Sequence, residues 1–310
     1  MNIPLAAQRG SHAPIPRTAP GAFPTEAPPA TQGVCVAARL AFAALMCVAP
    51  LSEVCAATAP ALGTTGTYGV LSSTFTNSNT SPQTIINGDV CYTTGPTTAP
   101  LLITGATSTP CLAATGLDQT AALATLNGEP CTFLGAGAIA LDALVVGGNP
   151  PGVIPPGCYS NGDAMNITAS TTVTLSGAGV YVFRPTGALT TGQDSTVILA
   201  AGACASDVYW APGGAVTLGA NTAASATPTF VGNILDAAGI TIGHFANMTG
   251  RALAYGATVT TDAVTITVPT CAPIGNRAGA SVPTLSGQTF LALVALMGLL
   301  GVAVFRRRKI

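Results

Sequence analysis

Four stretches decide how this chain folds: Tyr181–Thr191 (YVFRPTGALTT), Val208–Leu218 (VYWAPGGAVTL), Gly232–Ile242 (GNILDAAGITI) and Arg251–Thr261 (RALAYGATVTT). Each has an apolar stretch, then a turn holding Gly, and closes on an apolar residue followed by Thr. Those closing pairs anchor an alignment: Leu189-Thr190, Val216-Thr217, Ile240-Thr241 and Val259-Thr260. Successive anchors lie 27, 24 and 19 residues apart. Self-similarity at this period is the mark of stacked coils that bury one another's apolar faces. An earlier coil starts at Asn166 (NITASTTVTLSGAG). Gly suits the corners of such coils and β-branched residues suit their flat strands. A β-sandwich or jelly roll of unrelated hairpins is the competing reading.

Composition agrees with flat, dry coils. Ten basic and eleven acidic residues make up 7% of the 310, against roughly 25% in an average soluble domain. So little charge excludes nucleic-acid binding through a basic face. The positive mean hydropathy argues against charge-driven disorder. Only the two ends carry long apolar runs, which argues against a polytopic membrane protein. One segment breaks the strand pattern: Thr115–Gly128 (TGLDQTAALATLNG) has the spacing and Ala content of a short helix ending at Gly128. It is expected to lie along the solenoid or cap it.

Both ends read as addresses. Leu40–Leu51 (LAFAALMCVAPL) is a 12-residue apolar run after Arg39, with small residues at Ala56 and Ala57, the secretory-signal pattern. Residues 1–57 are therefore expected to be a leader, disordered at first and then a signal peptide. At the other end, residues 290–305 carry no charge and are followed by Arg306, Arg307, Arg308 and Lys309. With the apolar residues just before it, this run is long enough for a transmembrane helix, and the cations should stay cytoplasmic. The expected layout is a leader at 1–57, a body at 58–271, a linker at 272–281 and a C-terminal segment at 282–310. Between 58 and 281, three arginines and nine acids give a net charge of −6, and lysine is absent.

Six cysteines fall in the body: Cys91, Cys111, Cys131, Cys158, Cys204 and Cys271. An even set in an exported chain reads as three disulfides, and wide spacing without CxxC argues against zinc. Six cysteines allow fifteen pairings; the sequential one is the pairing favoured here.

Several separated motifs, in order, resemble the ice-binding (antifreeze) proteins of the β-solenoid type. They are Leu62–Asn79, Ile86–Cys91, Ile154–Ser160, Gly179–Thr191, Ala205–Gly219, Thr229–Leu235 and Thr249–Ile266. The resemblance covers about residues 60–268. It implies an all-β, right-handed, irregular β-solenoid of triangular section (a triangular β-helix) with one short accompanying α-helix. It also implies that the N-terminal strands add a coil to the C-terminal ones. Val282, Pro283, Thr284, Leu285 and Ser286 resemble a second family, the Ile-Pro-Thr-Leu-type sorting signals of Gram-negative bacteria, with Gln288-Thr289 where Trp-Gly is common. That implies export machinery and an exosortase-like transpeptidase as partners, a membrane contact through residues 290–305, and an exported protein that is membrane-anchored or released at the cell surface.

Ice offers no charge to grip, so a protein that binds it needs a flat, rigid surface of hydroxyls and methyls. Thr supplies both on a stiff stem. It fills 39 of the 224 positions from 58 to 281. Thr191, Thr196, Thr217, Thr222, Thr241, Thr249, Thr258 and Thr260, on or after the anchors, are the expected ice-binding residues, with ice or ordered water as the partner. A structural or adhesive surface module without ice activity is the alternative. A carbohydrate-active β-helix enzyme is a further one, but Asp194, Asp207, Asp236 and Asp262 stand at different offsets from the anchors and are expected on different faces. His244 offers no triad. No catalytic residue, metal site or cofactor is expected.

Overall fold

A computed structural model describes residues 57–78 and 80–271. The chain first forms β1 (Tyr68–Asn77), β2 (Ile85–Asn87), β3 (Asp89–Cys91), β4 (Leu102–Ile103) and β5 (Thr107–Ser108), then α1 (Ala113–Gly128). Next come β6 (Thr132–Phe133), β7 (Ile139–Ala140), β8 (Val153–Ile154), β9 (Gly157–Asn161), β10 (Met165–Ile167), β11 (Thr172–Ser176) and β12 (Tyr181–Pro185). The last group is β13 (Leu189–Thr191), β14 (Thr196–Ala200), β15 (Val208–Trp210), β16 (Val216–Leu218), β17 (Phe230–Leu235), β18 (Ile240–Ile242), β19 (Met248–Thr261) and β20 (Thr265–Thr267).

Strand pairing is parallel throughout and sorts the strands into three stacks. One, the helix face, runs β6-β9-β12-β15-β17-β19-β1-β3-β5. A second, the anchor face, runs β7-β10-β13-β16-β18-β19-β1. The third face holds β8-β11-β14 and, further along, β19-β20-β2-β4. Each coil visits the helix face, the anchor face and the third face in turn, so the long strands β17, β19 and β1 bend around corners. The sequence anchors stack as aligned: Leu189 on Val216, Val216 on Ile240, Ile240 on Val259. The last of the four stretches slips by one residue. On the helix face Gly232 pairs with Gly250, and Arg251 pairs with Asn233 rather than with Gly232. The extra residue is taken up between Leu253 and Val259, around Tyr255–Ala257.

Spatial order departs from chain order. β1 lies on β19, so the N-terminal strands extend the C-terminal end of the stack. The chain must then return to the far end to begin β6, and α1 makes that return. Sixteen residues of helix span about 24 Å, or five strand spacings of about 4.8 Å. Ala122 and Leu126 accordingly pack on the outward residues Leu253, Leu235, Tyr209, Val182 and Cys158 of successive coils. Two disulfides bracket the helix, Cys91–Cys111 before it and Cys131–Cys158 after it, and Cys204–Cys271 completes the sequential pairing. The Arg184 Nη1 donates to the carbonyls of Leu126, Asn127 and Glu129, at 2.7, 2.8 and 3.0 Å, and so caps the helix C-terminus.

The core inside the coils is a column of stacked side chains. Tyr159, Phe183, Trp210 and Phe230 follow one another with ring centroids 5.7, 4.2 and 5.2 Å apart. Two glycines are required by this packing. A Cβ on Gly232, at φ +115°, would meet the Trp210 Nε1 at 2.5 Å, and one on Gly250 would meet the Gly232 carbonyl oxygen at 1.8 Å. Among the described residues no helix is long and apolar enough to cross a membrane. The expected span at 290–305, the sorting motif Val282–Ser286 and the leader before residue 57 lie outside the described residues.

Candidate functional site: an open threonine face

The three faces differ in what covers them. In the middle of the helix face both sides of the strands are buried, as in Val208–Trp210 and Phe230–Leu235, because α1 lies outside; the end strand β6 is exposed. On the anchor face burial alternates: in Val216–Leu218 and Ile240–Ile242 only the central Thr is exposed. This is the one-sided pattern of a strand with a dry inner face and an open outer one.

The open side is a rank of threonines in register. Thr190, Thr217, Thr241, Thr260 and Thr76 stack on five successive coils, with Asn166 continuing the rank. Neighbours in the rank are about 4.8 Å apart. Behind them Leu189, Val216, Ile240, Val259 and Phe75 are at most 1% exposed and hold the strands rigid. A second rank lies two residues earlier in each strand, about 6.6 Å away. It holds Ala188, Ala215 and Gly239 and then Thr258 and Thr74, which pair with each other. None of these outward positions is charged. The Thr76 hydroxyl donates to the Thr260 hydroxyl at 2.7 Å. Those of Thr190, Thr217 and Thr241 have no partner among the described residues and are open to water.

The eight threonines expected from the sequence do not share one face. Thr217, Thr241, Thr258 and Thr260 lie on the anchor face. Thr191 stands beside it at the corner, where its hydroxyl accepts the Gly219 N–H at 3.0 Å. Thr222 lies in the loop after β16 and bonds Asp194 at 3.0 and 3.1 Å. Thr196 is on the third face, 2.8 Å from Thr172. Thr249 is also on the third face, in a small groove lined by Ser225, Ala226, Pro228, Asn247, Thr265 and Thr267. The loop after β16 supplies Ser225, Ala226 and Pro228 to the wall of that groove. Thr190, Thr74 and Thr76 were missed. Thr190 was already marked, since it is half of an anchor pair; Thr74 and Thr76 have no local signal, because their register depends on β1 lying on β19.

The aspartates are structural. Asp194 and Asp262 share one corner, between the anchor and third faces, which corrects the expectation that all four would be separated. They stand three coil steps, about 14 Å, apart. Each is spent on the neighbouring coil: Asp194 accepts the Thr222 N–H at 2.7 Å, and Asp262 accepts the Thr80 N–H at 3.4 Å and the Thr80 hydroxyl. His244 Nδ1 lies 3.1 Å from the Asp262 carboxylate. Burial raises the Asp262 pKa, but the Thr80 hydrogen bonds and His244 outweigh it and hold the group below its ordinary 3.8. Asp236 sits at the corner between the helix and anchor faces, accepting the N–H groups of Ala238 and Gly239 at 3.0 and 2.7 Å, and burial raises its pKa. Asp207 precedes β15 at the remaining corner. Among the described residues no three His, Cys, Asp or Glu side chains gather as a metal site.

Comparison with known proteins agrees with this geometry. The sequence profile described as "Ice-binding-like" matches residues 61–267, two thirds of the chain. An ice-binding protein of Flavobacterium frigoris (strain PS1) is 35% identical over 129 residues, 42% of this chain and 43% of that protein. The match thus spans less than half the length of that relative. Among solved structures, an ice binding protein from an Antarctic biological consortium superposes with a TM-score of 0.60 at 23% identity, covering 72% of this chain and 96% of that one. The ice-binding protein of the ascomycete Antarctomyces psychrotrophicus gives 0.54 at 25% identity, covering 69% and 100%. Two thirds of its length match the family's own pattern, and on that basis this chain belongs to the ice-binding-like family.

Proposed function

We propose that this chain is an exported protein that adsorbs to ice through its anchor face, and that its C-terminal segment holds it at the cell surface. One observation carries the reading: five threonines stand in register on a strand face that α1 leaves uncovered, with the loop at Thr94–Thr97 bordering only its Thr76 and Thr260 end. Their spacings, about 4.8 Å along the rank and about 6.6 Å between ranks, approach lattice repeats of ice. A stiff β-branched stem fixes each hydroxyl and methyl before ice is met, so little side-chain entropy is lost on adsorption. The reading makes the protein a binder rather than an enzyme.

Purified residues 58–281 should show thermal hysteresis and inhibit ice recrystallisation. Clean failure at high micromolar concentration would favour a structural or adhesive module. Replacing a rank threonine by a bulky residue, Thr217→Tyr or Thr241→Tyr, should remove at least nine tenths of the hysteresis while leaving the circular dichroism melt unchanged. Thr249→Tyr, on the third face, should leave activity intact; the opposite ranking would move the ice site to that face. Deleting 282–310 should release the protein into the medium, and unchanged cell association would remove the tethering role.

A further inference from the structure

The exit of the chain from the solenoid has its own geometry. Each coil has three sides, so the ridge where the third face turns into the helix face lies opposite the anchor face. Cys204 sits on that ridge, between β14 of the third face and β15 of the helix face. Cys271 follows β20, the last strand of the third face. A regular coil would next turn onto the helix face, but β1 already occupies that position beside β19. With no strand left to join, the chain runs back along the ridge. Val268 still donates to the Asn87 carbonyl at 3.0 Å, and three residues later Cys271 is bonded to Cys204, 67 positions earlier in sequence.

We propose that the Cys204–Cys271 disulfide is an orienting clamp: it fixes the departure of residues 272–310 on the ridge opposite the threonine ranks, so that a protein held by its C-terminal segment presents those ranks away from the holding surface. This rests on the ice-binding reading for its purpose, though not for its geometry. Clamped, the segment to residue 281 is ten residues long and reaches at most about 36 Å from the ridge. Unclamped, release begins near Val268, and about 13 residues with a reach of about 45 Å let the body turn over.

The body lacks lysine, which gives an ice-independent test. Residues 58–281 are biotinylated at the C-terminus and held on streptavidin beads. Thr217→Lys places one side-chain amine on the anchor face and Ala201→Lys places one on the ridge. Labelling with a 5 kDa amine-reactive polymer should proceed on beads at the solution rate for Thr217→Lys and at least threefold more slowly for Ala201→Lys. Equal slowing at both positions overturns the clamp. Adding Cys204→Ser and Cys271→Ser should bring the two bead rates together, and rates that stay apart also overturn it. In parallel, the clamp-free protein without added lysines should keep its hysteresis in solution yet retain several-fold less ice on beads. Absent hysteresis in the clamped protein would remove the ice reading while the labelling rates still decide the clamp.

Discussion

Thr190 and Thr191 are neighbours with different tasks. Thr191 is turned to the corner and accepts a backbone N–H from the next coil; Thr190 faces out with its hydroxyl unspent. The same division runs through the polar residues at large, since most corner side chains are committed to holding one coil on another. It makes acid stability a residue-scale property. Asp118 accepts the Thr64 hydroxyl and N–H at 2.6 and 2.7 Å, which lower its pKa, and Asp262 is lowered as described above. A depressed carboxylate pKa contributes stability above the unfolded value near 3.8, and that contribution is lost as pH falls through the folded value. Asp236, raised by burial, acts in the opposite sense. The melting temperature should therefore drop below about pH 4, and Asp118→Asn with Asp262→Asn should flatten that drop. A double variant with an unchanged acid limb would assign the loss to other groups.

At the scale of the element, the two strand types were written in the sequence as two patterns. Val216–Leu218 and Ile240–Ile242 alternate, and they are open on one side. Val208–Trp210 and Tyr181–Phe183 are apolar without a break, and they are closed on both sides by the core and α1. Trp210 lies in the middle of the aromatic column, and its Nε1 donates to the Val231 carbonyl at 2.9 Å. Trp210→Ala should cost about 3–5 kcal/mol in urea unfolding, the range for removing a large core aromatic. Loss below about 1 kcal/mol would mean that the column closes over the gap. The helix at Ala113–Gly128 was legible from its Ala content and spacing, beginning two residues earlier than expected. Its place was not, because a helix that lies along a solenoid and one that caps it bury the same kind of apolar stripe.

At the scale of the whole molecule, the solenoid is closed by its own beginning. β1 covers β19 along the helix and anchor faces and brings Thr74 and Thr76 beside Thr258 and Thr260. A chain starting at residue 130 would expose the edge of the 14-residue β19 and lose both α1 and the Cys91–Cys111 disulfide before it. Such a bare parallel edge is a template for aggregation. The truncated chain should therefore fail to give a soluble monomer by size exclusion, whereas 58–281 elutes as a folded species. Recovery of a stable monomer from 130–281 would show that the C-terminal coils stand alone.

The sequence by itself determined the coil period, the anchor register from Leu189 to Val259, the division of strands into alternating and continuous patterns, and the thinness of charge. These depend on neighbours that are close in the repeat, where one residue's polarity reports directly on one face. Only the tertiary structure decided that Thr76 joins the rank, that a residue is absorbed around Tyr255–Ala257, that Asp194 and Asp262 share a corner, and which face α1 leaves open. Each of those is set by contacts between segments up to about 180 positions apart, as in Thr76 on Thr260, and no local period carries information across that distance.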